Sequence, residues 1–285
     1  MAANTPRPSK AERTADAREK ARIMREQQEK AAKRKSLYIK LGLVVAVVAI
    51  IAVIAAIVIQ NSNNDVADAG PAPQGGNADG GIVLVSGTEV AQTPPATVDV
   101  APLGEAPTEA GAPTPRGVAE APAADPAQVV LYVDVNCVHC ADFEAQFAGQ
   151  LKTWLGAGDI TLEYRNVAYL DRSSPTNYSS RGANALACVA DAAPASYLSY
   201  AEAIFAHHAE GEMNNDELAQ LARDNGATVD SCIEDGTFRP FAQFTQEAAV
   251  RDRIPGTPSV WVQGQEWNPE AEPDFVAWAQ GLIND

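Results

Sequence analysis

Between Lys40 and Arg116 the chain has neither lysine nor arginine. Basic residues crowd ahead of that gap. Residues 1–40 hold twelve Lys/Arg against five Asp/Glu, while the formal charge of the whole chain is −16. The remainder therefore carries −23 and repels phosphate, which argues against a nucleic-acid partner for the C-terminal region. Histidine is scarce, with three in 285 residues, and cysteine stops at four: Cys137, Cys140, Cys188 and Cys232. A zinc site needs about four such ligands close together, and this sparse set offers none, so no metal or cofactor is expected. Residues 60–126 contain no aromatic residue but ten prolines and nine glycines. Such a segment buries too little apolar surface to offset its ordering entropy, and it is expected to be a disordered Pro/Gly/Ala-rich linker. No dimerisation segment is recognisable, so a monomer is expected.

Residues 41–59, LGLVVAVVAIIAVIAAIVI, hold no charged side chain. As a helix this run is about 28 Å long, close to the roughly 30 Å hydrocarbon core of a bilayer. It is expected to be a single transmembrane helix. The basic leader is too long for a signal peptide and no clear A-x-A site follows. Lys33, Arg34, Lys35 and Lys40 stand just before the span. By the positive-inside rule, residues 1–40 are expected in the cytoplasm and residues 60–285 outside it. In an oxidising compartment four cysteines fit two disulfides.

The folded domain is expected over 127–285. Val129–Val135 (VVLYVDV) is apolar and β-branched, hence a buried strand. Beyond Val138 the period changes: Phe143, Phe147 and Leu151 fall on one helix face. Ile160, Leu162 and Tyr164 alternate with Thr161, Glu163 and Arg165, as in a second strand. Strand, helix and strand over this length make a βαβ unit with parallel strands. Residues 175–251 read as a helical insert, with Asn214 or Asn215 capping one helix and Gly226 ending it. Ser259–Val262 and Gln265–Trp267 form a short hairpin, and Phe275, Trp278 and Leu282 mark a last helix. Ile82–Val85 is an apolar island within the linker, able to dock as an extra strand.

Cys137-Val138-His139-Cys140 lies where the first strand gives way to the first helix. A CxxC is ambiguous by itself, but at this junction of a βαβ unit it is a sharper redox signal. Unpaired N–H groups and the helix dipole there stabilise a thiolate on the first cysteine. Cys137 is therefore expected to be the exposed nucleophile with a depressed pKa, and Cys140 the buried resolving thiol. Val138 and His139 would tune the pair, His139 by adding a positive centre.

The CVHC motif, the helix after it, the helical insert and Ile254-Pro255-Gly256-Thr257-Pro258 before a strand together resemble the DsbA-like branch of the thioredoxin superfamily. The resemblance covers roughly residues 127–285. It implies an α/β thioredoxin fold with a helical insertion. It also implies a cis peptide at Thr257-Pro258, packed against the CxxC, whose backbone pairs with substrate. Some proteins of this kind carry a second bridge in the insert, as a Cys188–Cys232 disulfide would be here. The sequence departs from the family at Val138, where a proline is common. It departs again at Leu131, where many members hold a buried carboxylate. A proton acceptor for Cys140 must then come from elsewhere, with Asp134 a candidate by proximity.

The activity so implied is oxidation of thiols in reduced exported polypeptides, with a membrane reoxidant of DsbB-like or vitamin-K-epoxide-reductase-like type. The alternatives are an extracytoplasmic reductase or isomerase, and a non-enzymatic thioredoxin-fold binding or metal-chaperone module.

Overall fold

The computed structural model describes residues 66–104 and 114–284, together with Arg22 and Met24. The cytoplasmic segment expected over 1–40 and the transmembrane helix expected over 41–59 lie outside these residues, the two named above excepted. Among the described residues no helix is long and apolar enough to cross a membrane. The folded unit runs from Val66 onward.

Its first strands are β1 (Ala69–Pro71), β2 (Ile82–Ser86), β3 (Glu89–Val90) and β4 (Thr97–Asp99), followed by β5 (Ala127–Val133) and helix α1 (Val138–Ala157). Strand β6 (Ile160–Asn166) completes the βαβ unit, pairing parallel with β5 from Ala127↔Ile160 to Val133↔Asn166. The insert supplies α2 (Tyr178–Ala192), α3 (Tyr197–Ala206), α4 (Asn215–Asp224), α5 (Asp230–Asp235) and α6 (Arg239–Arg251). Strands β7 (Ser259–Val262) and β8 (Gln265–Glu266) and helix α7 (Phe275–Asn284) close the chain. The main sheet has six strands in the order β3-β2-β6-β5-β7-β8, with only the β5–β6 pair parallel.

Strand β5 is central because both of its faces are covered. Val129, Leu131 and Val133 point into a large core shared with Phe143, Leu151, Leu186 and Phe205. Val130 and Tyr132 point the other way, against Val118, Ala249 and Trp261. This is the two-residue alternation of a pleated strand. Each fully buried Val or Leu side chain contributes about 1.5–3 kcal/mol. Helix α1 ends where Gly158 turns left-handed at φ 78°, a conformation that favours glycine. Asn214 caps α4 through a capping box with Glu217, whose N–H donates to the Asn214 side chain.

The disordered linker expected over 60–126 is corrected by the structure, because residues 66–104 and 114–126 are built into the fold. Strand β2 pairs antiparallel with β6, setting Ile82 opposite Tyr164 and Leu84 opposite Leu162. Composition misled because few apolar residues are present, yet Ile82, Leu84, Val90, Val98 and Val118 are all buried. They complete a core begun by the rest of the chain rather than forming one alone. This strap also explains why Glu163 and Arg165, read as the polar side of a half-buried strand, are buried. Arg165 donates from Nε to Glu163 at 2.6 Å, and its Nη1 donates to the Tyr132 hydroxyl at 2.6 Å and the Arg116 carbonyl at 2.8 Å. Asn77 of the strap donates to Glu163 at 3.0 Å. Gly81 crosses directly over this carboxylate, and a Cβ there would stand 1.9 Å from Glu163 Oε1.

Candidate active site

The site begins where β5 runs out. Asp134, buried at 0% exposure, turns the chain out of the strand. Its Oδ1 accepts the Asn136 N–H and its Oδ2 the Leu170 N–H, both at 2.9 Å. Its own N–H approaches Cys140 Sγ at 3.5 Å. Burial pushes the Asp134 carboxyl up to about 6. Asn136, next in line, is held from the insert: its side chain donates to Glu212 at 3.2 Å, and His208 Nε2 lies 3.2 Å from its carbonyl. The loop that presents the first cysteine is thus braced on both sides before the helix starts.

Cys137 is the N-cap of α1, with extended backbone at φ −94° and ψ 120° and no side-chain capping bond of its own. Its sulfur sits beside the N–H groups of His139 and Cys140 in the first turn. Its thiol is lowered to about 5, chiefly by a hydrogen bond from the Cys140 thiol, against the opposing effect of burial. The Thr257 side chain and the N–H groups of Cys140 and His139 add to the lowering. Cys140, at 0% exposure, is raised far above an ordinary thiol by burial and by the charge on its partner. Both are free thiols here.

Two expectations about this motif are corrected. Cys137 is 8% exposed rather than an open thiol, because Thr257 covers it: the Cys137 thiol meets the Thr257 carbonyl at 3.4 Å. His139 lowers Cys137 through its backbone N–H, while its side chain, like Val138, points to solvent. Val138 is 49% exposed, so an apolar surface stands beside the sulfur.

The Thr257-Pro258 peptide is cis and lies against Cys137. The chain thereby brings together residues 120 positions apart, the CxxC helix and the loop before β7. Cys188 and Cys232 form a disulfide between α2 and α5. That bridge ties the insert to itself and contributes no sulfur to the Cys137 site. Glu144, four residues after Cys140, is a buried carboxyl at 4% exposure on the same helix, a burial hidden in the sequence by the more regular apolar face of Phe143, Phe147 and Leu151.

An ionised sulfur beside a protonated one, under a covering backbone carbonyl, is chemically suited to thiol–disulfide exchange, since the thiolate is the attacking and the better leaving form. Residues 117–280 match a family model described as thioredoxin. Among curated proteins, the serine/threonine-protein kinase PknE of Mycobacterium tuberculosis is 29% identical over 150 residues, which is 48% of this chain but only 26% of the kinase. Among solved structures, reduced DsbA from Mycobacterium tuberculosis is 27% identical, over 60% of this chain and 91% of that one, with a TM-score of 0.49. Reduced DsbG from the same organism is also 27% identical, over 60% and 86%, with a TM-score of 0.49. With more than half of its length matched to the family model, and a CxxC capping the helix that follows the central strand, the chain belongs to the thioredoxin family.

Proposed function

We propose that this protein is an extracytoplasmic thiol:disulfide oxidoreductase of the DsbA type that oxidises thiols of exported polypeptides. The observation that carries the reading is the unequal ionisation of the two cysteines: Cys137 lowered to about 5, Cys140 raised by burial. Each pKa unit of depression stabilises the thiolate by about 1.4 kcal/mol. That favours the reduced pair and makes its disulfide a stronger oxidant, about 30 mV for each such increment.

In the oxidised protein a substrate thiolate attacks Cys137 Sγ, the Cys137–Cys140 bond breaks, and Cys140 leaves. A second substrate thiolate then attacks the substrate sulfur of the mixed disulfide and expels Cys137 as a thiolate. Two electrons pass to the cysteine pair, and the substrate gains a disulfide. The exposed Val138 and the backbone of Thr257 give the substrate an apolar contact and a pairing edge. A membrane reoxidant of DsbB-like or vitamin-K-epoxide-reductase-like type takes the electrons on. The apolar run 41–59 and the basic residues before it support a membrane anchor with the folded unit outside the cytoplasm.

Three measurements test this. Cys137→Ser is expected to abolish oxidation of a reduced model substrate, and retained activity removes Cys137 from the chemistry. Equilibration with glutathione is expected to give a potential well above about −250 mV; a value near or below that assigns a reductase instead. Protease added to intact cells is expected to digest residues 66–285, and protection of that region puts the domain on the wrong side of the membrane.

A further inference from the structure

Thr257 closes over Cys137, yet the loop that carries it has little to rest on. Pro255 is exposed, and a Cβ at Gly256 would meet nothing within 4 Å. Downstream the chain is fixed at once, because Ser259 enters β7 opposite Tyr132. Upstream it is held from another element. Where β6 ends, a 3-10 turn spans Tyr169–Ser173. Its first two residues reach the two halves of the site. The Leu170 N–H donates to Asp134 Oδ2 at 2.9 Å, in the turn that leads to both cysteines. The Tyr169 hydroxyl donates to the Ile254 carbonyl at 3.0 Å, three residues before Thr257.

The surroundings of Tyr169 keep that phenol a donor and keep it aimed. Its ring packs on the second core, with Val118, Val130, Ile254 and Trp261. Burial, joined by the charges of Asp252 and Glu247, pushes the hydroxyl up to about 12, so it retains its proton at neutral pH. Asp252, a competing acceptor, is engaged by Arg116. Both of its oxygens take the Arg116 Nε–H at 2.9 Å, and Oδ2 also takes the Arg116 backbone N–H at 3.2 Å. Ile254 is thus gripped twice. Its N–H donates to the Ala249 carbonyl of α6 at 3.0 Å, and its carbonyl accepts from Tyr169.

We propose that Tyr169 is a positioning residue for the exchange reaction, its hydroxyl holding the Thr257 loop over the Cys137 sulfur from the same turn that braces Asp134. The inference rests on thiol–disulfide exchange at Cys137, and Tyr169 acts through Ile254 rather than on the sulfur. Two effects follow from a held loop. The cover restricts the approach of small reagents to the thiolate. The backbone edge at Thr257 is also ordered before a substrate arrives, which spares the substrate that cost on binding. Loosening the loop then weakens binding of a peptide more than it slows the chemical step, a split seen in KM against kcat.

The test compares the full parent chain with Tyr169→Phe, which keeps the ring in its packing and deletes only the donor. Reduced protein is alkylated with iodoacetamide near neutral pH, where Cys137 is already ionised. The rate is expected to rise about threefold in the variant as the cover loosens, within the reach of one lost neutral hydrogen bond. Oxidation of a reduced dithiol peptide is expected to show a KM about fivefold higher, with kcat near the parent value. Incorporating 4-aminophenylalanine at position 169 offers an N–H in place of the O–H, and is expected to return both readings toward the parent. A lower melting temperature with alkylation rate and KM unmoved makes Tyr169 a packing residue and overturns the proposal. Changed readings that the amine fails to restore overturn it as well, since the hydrogen bond is then not their cause. If glutathione disulfide forms no adduct on Cys137 of the parent, the exchange reading itself fails, while the alkylation rate still reports on the cover.

Discussion

A single sulfur sets the chemistry, and its environment is assembled from both ends of the domain. Cys137 occupies the cap of α1, and the Thr257 loop, 120 residues later, closes over it. Thr257 acts on the two ionisation states in opposite ways. Its carbonyl accepts from the protonated thiol, whereas its side chain favours the thiolate. Alkylation of reduced protein with iodoacetamide is expected to report a midpoint near pH 5 for Cys137. Thr257→Val keeps the carbonyl and removes the hydroxyl, so the midpoint is expected to move upward. An unchanged midpoint would show that the hydroxyl plays no part. The motif and the direction of its asymmetry were legible because a helix terminus acts locally, through N–H groups two and three residues away. The cover over Cys137 was not legible, because it depends on how a distant loop packs.

At the scale of elements, periodicity exposed the βαβ unit, the insert and the last hairpin, since each has a core face written into one short stretch. Within residues 66–104 it marked only the apolar island Ile82–Val85, which is strand β2. The rest of the strap contributes isolated apolar residues to a core made elsewhere, which no window of the sequence shows. The same gap concealed the burial of Glu163 and Arg165, whose side chains alternate correctly for a solvated face until β2 and Gly81 cover them. Gly81→Ala tests this packing. The added methyl would overlap Glu163 Cγ and Cδ as well as its oxygen, so the carboxylate cannot simply swing aside. The expected loss is about 2 kcal/mol, read by urea unfolding. Stability equal to the parent would mean that the strap is loosely held.

For the molecule as a whole, ionisation of Cys137 couples redox state to stability. A thiol lowered on folding contributes stability that is complete above its unfolded value, roughly 8.5. That contribution is lost as the pH falls through about 5. It exists only in the reduced protein, because the disulfide does not titrate. The raised carboxyls of Asp134 and Glu144 act the other way, favouring the folded state at low pH. They are present in both redox forms and largely cancel in the difference. Reduced protein is therefore expected to gain melting temperature over oxidised protein as the pH rises from about 5 toward 8. A difference that stays flat across that range would disconnect the thiolate from the energetics of the fold.

The placement of β2 has a practical corollary. Strand β6 is flanked by β5 on one side and by β2 on the other, so its second edge is sealed by a segment lying far upstream. A fragment trimmed to begin at Ala127 would retain every residue of the redox centre. It would also bare a row of unpaired amides and carbonyls along β6 and strand the Glu163–Arg165 ion pair in water. Open strand edges recruit other chains. Such a fragment is expected to self-associate on sizing columns, while one starting at Val66 runs as a single species. The boundary of the smallest well-behaved domain thus lies some sixty residues before the βαβ unit that carries the cysteines.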